Sequence, residues 1–186
     1  MDDNNPMPWD PILDGQMSVY TLIGGHEAQQ TNVDVHRRVI VGITIQAITA
    51  DNFIQAIRLR VNKEQENYVA SNAFSIAQSK FHTFLQCVGI YADDEMVGFS
   101  AFGKNPEDET IWIVRHMIAE QYQGKGYGKK GLQVLIDQMQ QECNCEEIYL
   151  DVSPENHVAI NLYQNAGFKD TGRIQGHSRV LALSLE

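Results

Sequence analysis

Residues 118–131 read Ile118-Ala119-Glu120-Gln121-Tyr122-Gln123-Gly124-Lys125-Gly126-Tyr127-Gly128-Lys129-Lys130-Gly131. An apolar run ends at Ile118 and a glycine-rich turn follows. Beyond the turn Leu132, Leu135, Ile136 and Met139 recur at i, i+3, i+4, i+7, with Gln133, Asp137, Gln138 and Gln140 on the opposite side. This is the pattern of a strand, a turn and an amphipathic surface helix. The first amides of a helix have no internal acceptor, and the aligned peptide dipoles place about half a positive charge there. Glycines at that point let the backbone approach closely and form a seat for an anion. Lys125, Lys129 and Lys130 add charge of the same sign.

Spacing separates the kinds of phosphate such a turn can hold. A Walker loop needs Gly-x4-Gly-Lys-Ser/Thr, and here Gly128-Lys129 is followed by Lys130, which offers no hydroxyl to magnesium. Gly126-x-Gly128-x-x-Gly131 does satisfy the dinucleotide string, and Asp151 lies about 20 residues on, so a nicotinamide or flavin reading stays open on the string alone. Its surroundings do not suit it. Polar Glu120 to Gln123 stand between strand and glycines, and closely spaced strands precede the motif.

The third reading is acyl-coenzyme A. Gln123-x-x-Gly126-x-Gly128 resembles the Gln/Arg-x-x-Gly-x-Gly/Ala signature of the GNAT superfamily of N-acetyltransferases. A second block, Leu150-Asp-Val-Ser-Pro-Glu-Asn-His-Val-Ala-Ile-Asn-Leu-Tyr-Gln-Asn-Ala-Gly-Phe168, is similar to that family's strand, helix and closing Gly-Phe, with Asn156, Ala159, Tyr163, Gly167 and Phe168 in the matching places. The two blocks stand in the expected order, and the resemblance covers roughly residues 41–186. It implies a mixed α/β fold: a mostly antiparallel central sheet of six to seven strands flanked by about four helices. Residues 1–40 are then an N-terminal extension, partly disordered, before a domain at 41–186.

Within the superfamily, Gln65-Glu-Asn-Tyr-Val-Ala-Ser-Asn72, Val97-Gly-Phe99, Arg115, Met117-Ile118 and Tyr122-Gln-Gly-Lys-Gly126 look like the bacterial spermine/spermidine acetyltransferases. The resemblance implies acetyl transfer from acetyl-CoA, as cosubstrate and without a metal, to a small-molecule primary amine by direct attack in a ternary complex. In that scheme the backbone from Gln123 through Gly124, Lys125, Gly126, Tyr127 and Gly128 to Lys129 holds the pyrophosphate. A main-chain N–H near Ile118 faces the thioester carbonyl, Asn156 holds the pantetheine arm, and Tyr163 is the acid that protonates the leaving thiolate. Tyr163 also reads as core packing, and Asn156, after Ser153-Pro154, also reads as a helix cap. For the base, Val114 stands where animal polyamine acetyltransferases carry a carboxylate, and valine cannot take a proton. His116 and Glu120 are the candidates nearby, with a water chain to a remote carboxylate as an equal alternative; His116 reads equally as structural. Polyamine ammonium groups call for acids, and Glu64, Glu66 and Asp94 are candidates that also read as solvated surface charge. Other acceptors in the same class are a protein or peptide amine and an aminoglycoside. Outside it stands a non-catalytic acyl-CoA sensor.

Composition fits this picture. The 186 residues are 43% hydrophobic and 20% charged, enough for one compact domain. A net charge of −10 argues against nucleic acid as a partner and suits a cationic substrate. The longest apolar run, Val39 to Ile45, is far too short to span a bilayer, and the acidic, proline-bearing start lacks the features of a secretory signal, so a cytoplasmic location with no membrane partner is expected. Cys87, Cys143 and Cys145 lack a second ligand pair at zinc spacing and read as free thiols. A homodimer accords with the family, though no residue here encodes it.

Along the chain, residues 1–16 read as an unstructured arm and 17–40 carry no clear pattern. Alternation predicts a first strand at about 43–49, then a helix capped by Asp51 and carrying Phe53, Ile54, Ile57 and Leu59. A short helix at 72–80 follows. Strands at about 86–91 and 96–103 flank an acidic tip at Asp93-Asp94-Glu95, and a further strand spans 110–118. After the glycines come a helix to about 142, a strand at 147–152, a helix at 156–166 and two closing strands.

Overall fold

The computed structural model describes residues 42–143 and 145–185. The expected extension at 1–40 lies outside the described residues. Seven strands form one sheet among them: β1 (Ile43–Ala47), β2 (Leu85–Ala92), β3 (Glu95–Lys104), β4 (Ile111–Ile118), β5 (Glu147–Val152), β6 (Lys169–Gln175) and β7 (Ser178–Ser184). Four α-helices accompany them: α1 (Phe53–Arg58), α2 (Asn72–Phe81), α3 (Tyr127–Cys143) and α4 (His157–Asn165), with 3-10 turns at Lys63–Gln65 and Glu120–Tyr122. The spatial order is β1-β2-β3-β4-β5-β7-β6. Every neighbouring pair is antiparallel except β4 and β5, which run parallel with α3 as their crossover. The expected mixed, mostly antiparallel sheet is therefore what the chain forms.

Burial divides the two faces. Leu132, Leu135, Ile136 and Met139 of α3 pack with Ile111, Ile113, Ile148 and Leu150 of the sheet and with Tyr163 and Phe168. These are the periodic residues of the sequence, and each is almost fully removed from water. On the other face Ala56 and Leu59, at α1, meet Tyr91, Met96, Phe99, Ala101 and Met117. A smaller group joins Trp112, Val180 and Tyr149, with the Trp112 and Tyr149 rings stacked at 5.4 Å.

The helix after β1 departs from expectation. Its N-cap is Asn52, not Asp51, and the Asn52 side chain makes no capping bond to the helix. Instead Asn52 Oδ1 accepts from Thr49 N–H at 2.8 Å and its amide donates to Ala47 O at 2.9 Å, tying the end of β1 to the helix start. Asp51 is held as well, its N–H donating to Thr49 Oγ1 at 3.2 Å. The Asn52 carboxamide and the Thr49 hydroxyl together hold the turn before the helix, and the helix starts one residue later than expected.

One irregularity in β4 positions everything that follows. Ala101 pairs with Arg115 but Phe102 pairs with Ile113, so Val114 is an extra residue, a β-bulge. Val114 and Met117 pack on the α1–α2 side while Ile113, His116 and Ile118 face α3, and alternation about the bulge assigns Arg115 to the side of Val114.

Candidate active site

β4 and β5 start as neighbours and then part. Their pairing covers only Ile111–Ile113 against Ile148–Leu150, although the strands continue to Ile118 and Val152. The far half of β4 thus has a partner strand on one side only. Ala119 N–H donates to Val97 O at 3.0 Å, which sets the ladder's alternation: the N–H groups of Ile118 and His116 point away from β3, toward the gap. Ile118, a positional expectation from the motif, therefore presents a main-chain donor to the wedge.

The glycine turn stands at the mouth of that wedge. Gly124 and Gly126 have φ of +76° and +80°, a conformation side chains resist, and a Cβ on either would meet no atom within 4 Å. Their glycines serve backbone shape and access, not packing. Gly128 differs: it is helical, and a Cβ there would sit 3.6 Å from Ile118 Cγ1 and 3.9 Å from Leu162 Cδ2. The start of α3 thus lies between β4 and α4. Tyr127, Gly128 and Lys129 open the helix, where amides are unsatisfied by the helix itself.

Tyr163 lies on α4, next to Leu162, and belongs to the core cluster that includes Leu132, Leu150 and Val152. It is 7% exposed, packed edge-on against Phe168 with ring centroids 5.9 Å apart. Burial, and secondarily the Asp151 carboxylate, push its phenol well above the usual tyrosine range, so the hydroxyl stays protonated at physiological pH. Asn156 is the N-cap of α4, its Oδ1 accepting from Ala159 N–H at 3.1 Å.

His116 is engaged at both ring nitrogens. Nε2 lies 3.1 Å from Gly128 O and Nδ1 lies 2.9 Å from Ser100 Oγ. A carbonyl oxygen only accepts, so Nε2 carries the proton, and Nδ1 accepts from the Ser100 hydroxyl. Burial pushes the imidazole down to about 4, with the Gly128 carbonyl acting weakly in the opposite sense. No ring lone pair is left over for a substrate proton. Glu120 is exposed, in the 3-10 turn directly after β4, with its N–H donating to Arg60 O at 2.9 Å.

The acidic candidates belong to segments distant in sequence that are tied to one turn. Gln65 Oε1 accepts from Gln123 Nε2 at 2.8 Å, which brings the Glu64–Glu66 segment to the glycine turn. Gln123 Nε2 also donates to Ile118 O at 2.8 Å. At the β2–β3 hairpin, where Asp93 has φ of +54° and Asp94 is exposed, Glu95 accepts from Tyr122 Oη. Lys125 Nζ lies 5.5 Å from the Tyr122 ring centroid. Two loops, the α1–α2 connection and the β2–β3 hairpin, therefore converge on residues 120–123. Sequence reading missed these ties, and it missed Ser100, whose lone signal was a hydroxyl in an otherwise apolar strand. Among the described residues no group of three or more His, Cys, Asp and Glu side chains could hold a metal, and no helix is long and apolar enough to cross a membrane.

The crossover β4-α3-β5 is parallel, as a dinucleotide fold requires, but the rest of the sheet is not, and likeness to known proteins points elsewhere. The profile of the acetyltransferase (GNAT) family matches residues 52–168. The spermine/spermidine N(1)-acetyltransferase of Bacillus subtilis (strain 168) is 36% identical over 140 residues, covering 72% of this chain and 92% of that protein. Among solved structures, spermidine N-acetyltransferase from Vibrio cholerae in complex with CoA and spermine has a TM-score of 0.61 at 20% identity, covering 77% of this chain and 95% of that one. Aminoglycoside acetyltransferase AAC(6')-Ib in complex with coenzyme A gives 0.63 at 17% identity, covering 76% and 94%. At such identities the two structures speak for the fold.

Proposed function

The chain belongs to the acetyltransferase (GNAT) family, and on that premise we propose that it moves the acetyl group of acetyl-CoA directly onto a primary amine of a polyamine such as spermine or spermidine, both substrates being bound together. The observation that carries this reading is the wedge, with outward main-chain donors on β4 and the open amides of α3 at its mouth; α4, beside that helix start, carries a phenol kept protonated by burial. The polyamine acceptor is supported by the extended match to the Bacillus subtilis enzyme.

In this mechanism the amides from Gln123 to Lys129 hold the pyrophosphate, and the N–H of Ile118 donates to the thioester carbonyl oxygen, where negative charge grows as the amine attacks. The amine nitrogen bonds to the carbonyl carbon, and the carbon–sulfur bond breaks. The departing sulfur resembles a thiol with pKa about 8.5 and takes the proton of Tyr163, whose phenolate is reprotonated from solvent. Asn156 caps α4, which keeps Tyr163 in register, and holds the pantetheine arm. The acceptor must lose a proton first. With an amine pKa near 10.4 this costs roughly 4 to 5 kcal/mol at pH 7 in a site that does nothing to lower it. Glu120 takes that proton through water, and Glu64, Glu66 and Asp94 attract the remaining ammonium groups of the polyamine.

A panel of amines assayed by release of free coenzyme A thiol tests the reading. Spermine and spermidine are expected to outpace an N-terminal peptide and an aminoglycoside by at least tenfold in kcat/KM. Turnover of the peptide or aminoglycoside with none of the polyamines overturns the acceptor. Tight acetyl-CoA binding with no amine acetylated overturns catalysis in favour of a sensor.

A further inference from the structure

The imidazole of His116 gives the open half of β4 a side-chain hydrogen bond to the first turn of α3, beside the apolar packing of Ile118 on Tyr127 and Val134. β4 has lost β5 beyond Ile113, so the half carrying His116 and Ile118 has a free edge. The start of α3 follows Gly124 and Gly126, two glycines whose added side chains would touch nothing. Between this open strand and this loosely packed turn runs a chain of three groups: the Ser100 hydroxyl, the His116 ring and the Gly128 carbonyl, at 2.9 and 3.1 Å. Ser100 is fully buried on β3, opposite His116 in the register. A buried hydroxyl needs a partner, and the Nδ1 lone pair supplies one.

We infer that His116 is a positioning residue that clamps the first turn of α3 against the open half of β4, with Ser100 fixing its tautomer. The clamp sets the distance between the anion seat at the helix start and the main-chain donor at Ile118, two residues further along the same strand. A cosubstrate that contacts both at once binds well only when that distance is right, because misplacement forfeits one contact or the other. The inference rests on the acetyl-CoA reading of the wedge for its functional consequence, but not for the clamp itself.

Two measurements test it. Nitrogen-15 NMR of the histidine rings in the wild-type protein should show one imidazole with Nε2 protonated and Nδ1 bare, unchanged between pH 5.5 and 8. Assigning that ring needs only its disappearance in His116→Gln. A His116 that titrates in this range, or that carries its proton on Nδ1, overturns the clamp. In steady-state kinetics His116→Leu should raise KM for acetyl-CoA roughly tenfold with a smaller change in kcat, and His116→Gln, whose amide still donates to the Gly128 carbonyl, should recover most of that loss. If instead Gln and Leu are equally damaging, and both abolish the acid limb of the kcat profile, His116 moves a proton and the clamp is wrong. Wild-type protein that fails to bind acetyl-CoA at all strikes the proposed function and leaves the NMR test standing.

Discussion

The two halves of β4 make an informative pair. Ile111–Ile113 are flanked by strands on both sides, with Ile111 and Ile113 sealed under α3, while Val114–Ile118 keep β3 but lose β5. The first half shows what apolar β-branched residues do with two neighbours: they bury side chains and satisfy every ladder bond. The second half shows the same strand with half its ladder withheld, which leaves main-chain donors for something other than protein. On the proposed function, stability resides in the closed half and chemistry in the open one, so damage to each should register in a different measurement.

The sharpest test lies at Tyr163, which in the proposed mechanism serves the open half from α4. Tyr163→Phe keeps the ring against Phe168 and removes only the hydroxyl, and kcat should fall by roughly 100- to 1,000-fold with KM for acetyl-CoA changed little. An unchanged kcat would strike Tyr163 from the mechanism. At the closed half, Leu150 sits opposite Ile113 and is 1% exposed. Leu150→Ala should cost about 3 kcal/mol in urea unfolding while the folded fraction keeps its kcat/KM within about twofold. A large loss of activity per folded molecule would mean the two halves are not separable. The glycine turn offers the smallest contrast. Gly126→Ala forces φ of +80° on a side chain, a strain of about 1 to 2 kcal/mol, and should weaken acetyl-CoA binding by calorimetry roughly tenfold. Gly128→Ala adds only an ordinary contact to Ile118, so its affinity should stay within about twofold. Equal effects at the two positions would refute the division of the turn into a shape-bearing and a packing glycine.

What could be read from residues alone followed the same divide. The helix after the glycines, β5 at 147–152 and the cap at Asn156 were legible because long periods and caps are local signals. The start of α1 was not, since six residues give little periodicity and Asp51 and Asn52 are chemically alike as caps. Phe53 and Ile54, in that helix, are 39% and 43% exposed, a placement that composition cannot foresee. The wedge itself rests on where two strands stop pairing and on a bulge at Val114, both properties of register between segments remote in sequence. The ties from Gln65 to Gln123 and from Glu95 to Tyr122 likewise join residues separated by 58 and 27 positions. No local pattern encodes such pairs. The family resemblance supplied the candidates; the fold supplied their neighbours.

The extra residue in β4 has a consequence for the whole catalytic corner. A strand keeps strict time, two residues to the beat, and Val114 is the one place where this strand skips. Delete it and the ladder simply closes up: Phe102 with Ile113, Ala101 with Arg115 and Ser100 with His116 are already the pairs of an unbroken register, so no later side chain changes sides. What goes is the local bend and extra twist that a bulge gives its strand, and the pairing with β5 ends at Ile113, the residue just before the skip. One surplus amino acid therefore marks where the two parallel strands part company, and without it β5 is free to run on beside β4 and take up the backbone donors now left to the gap.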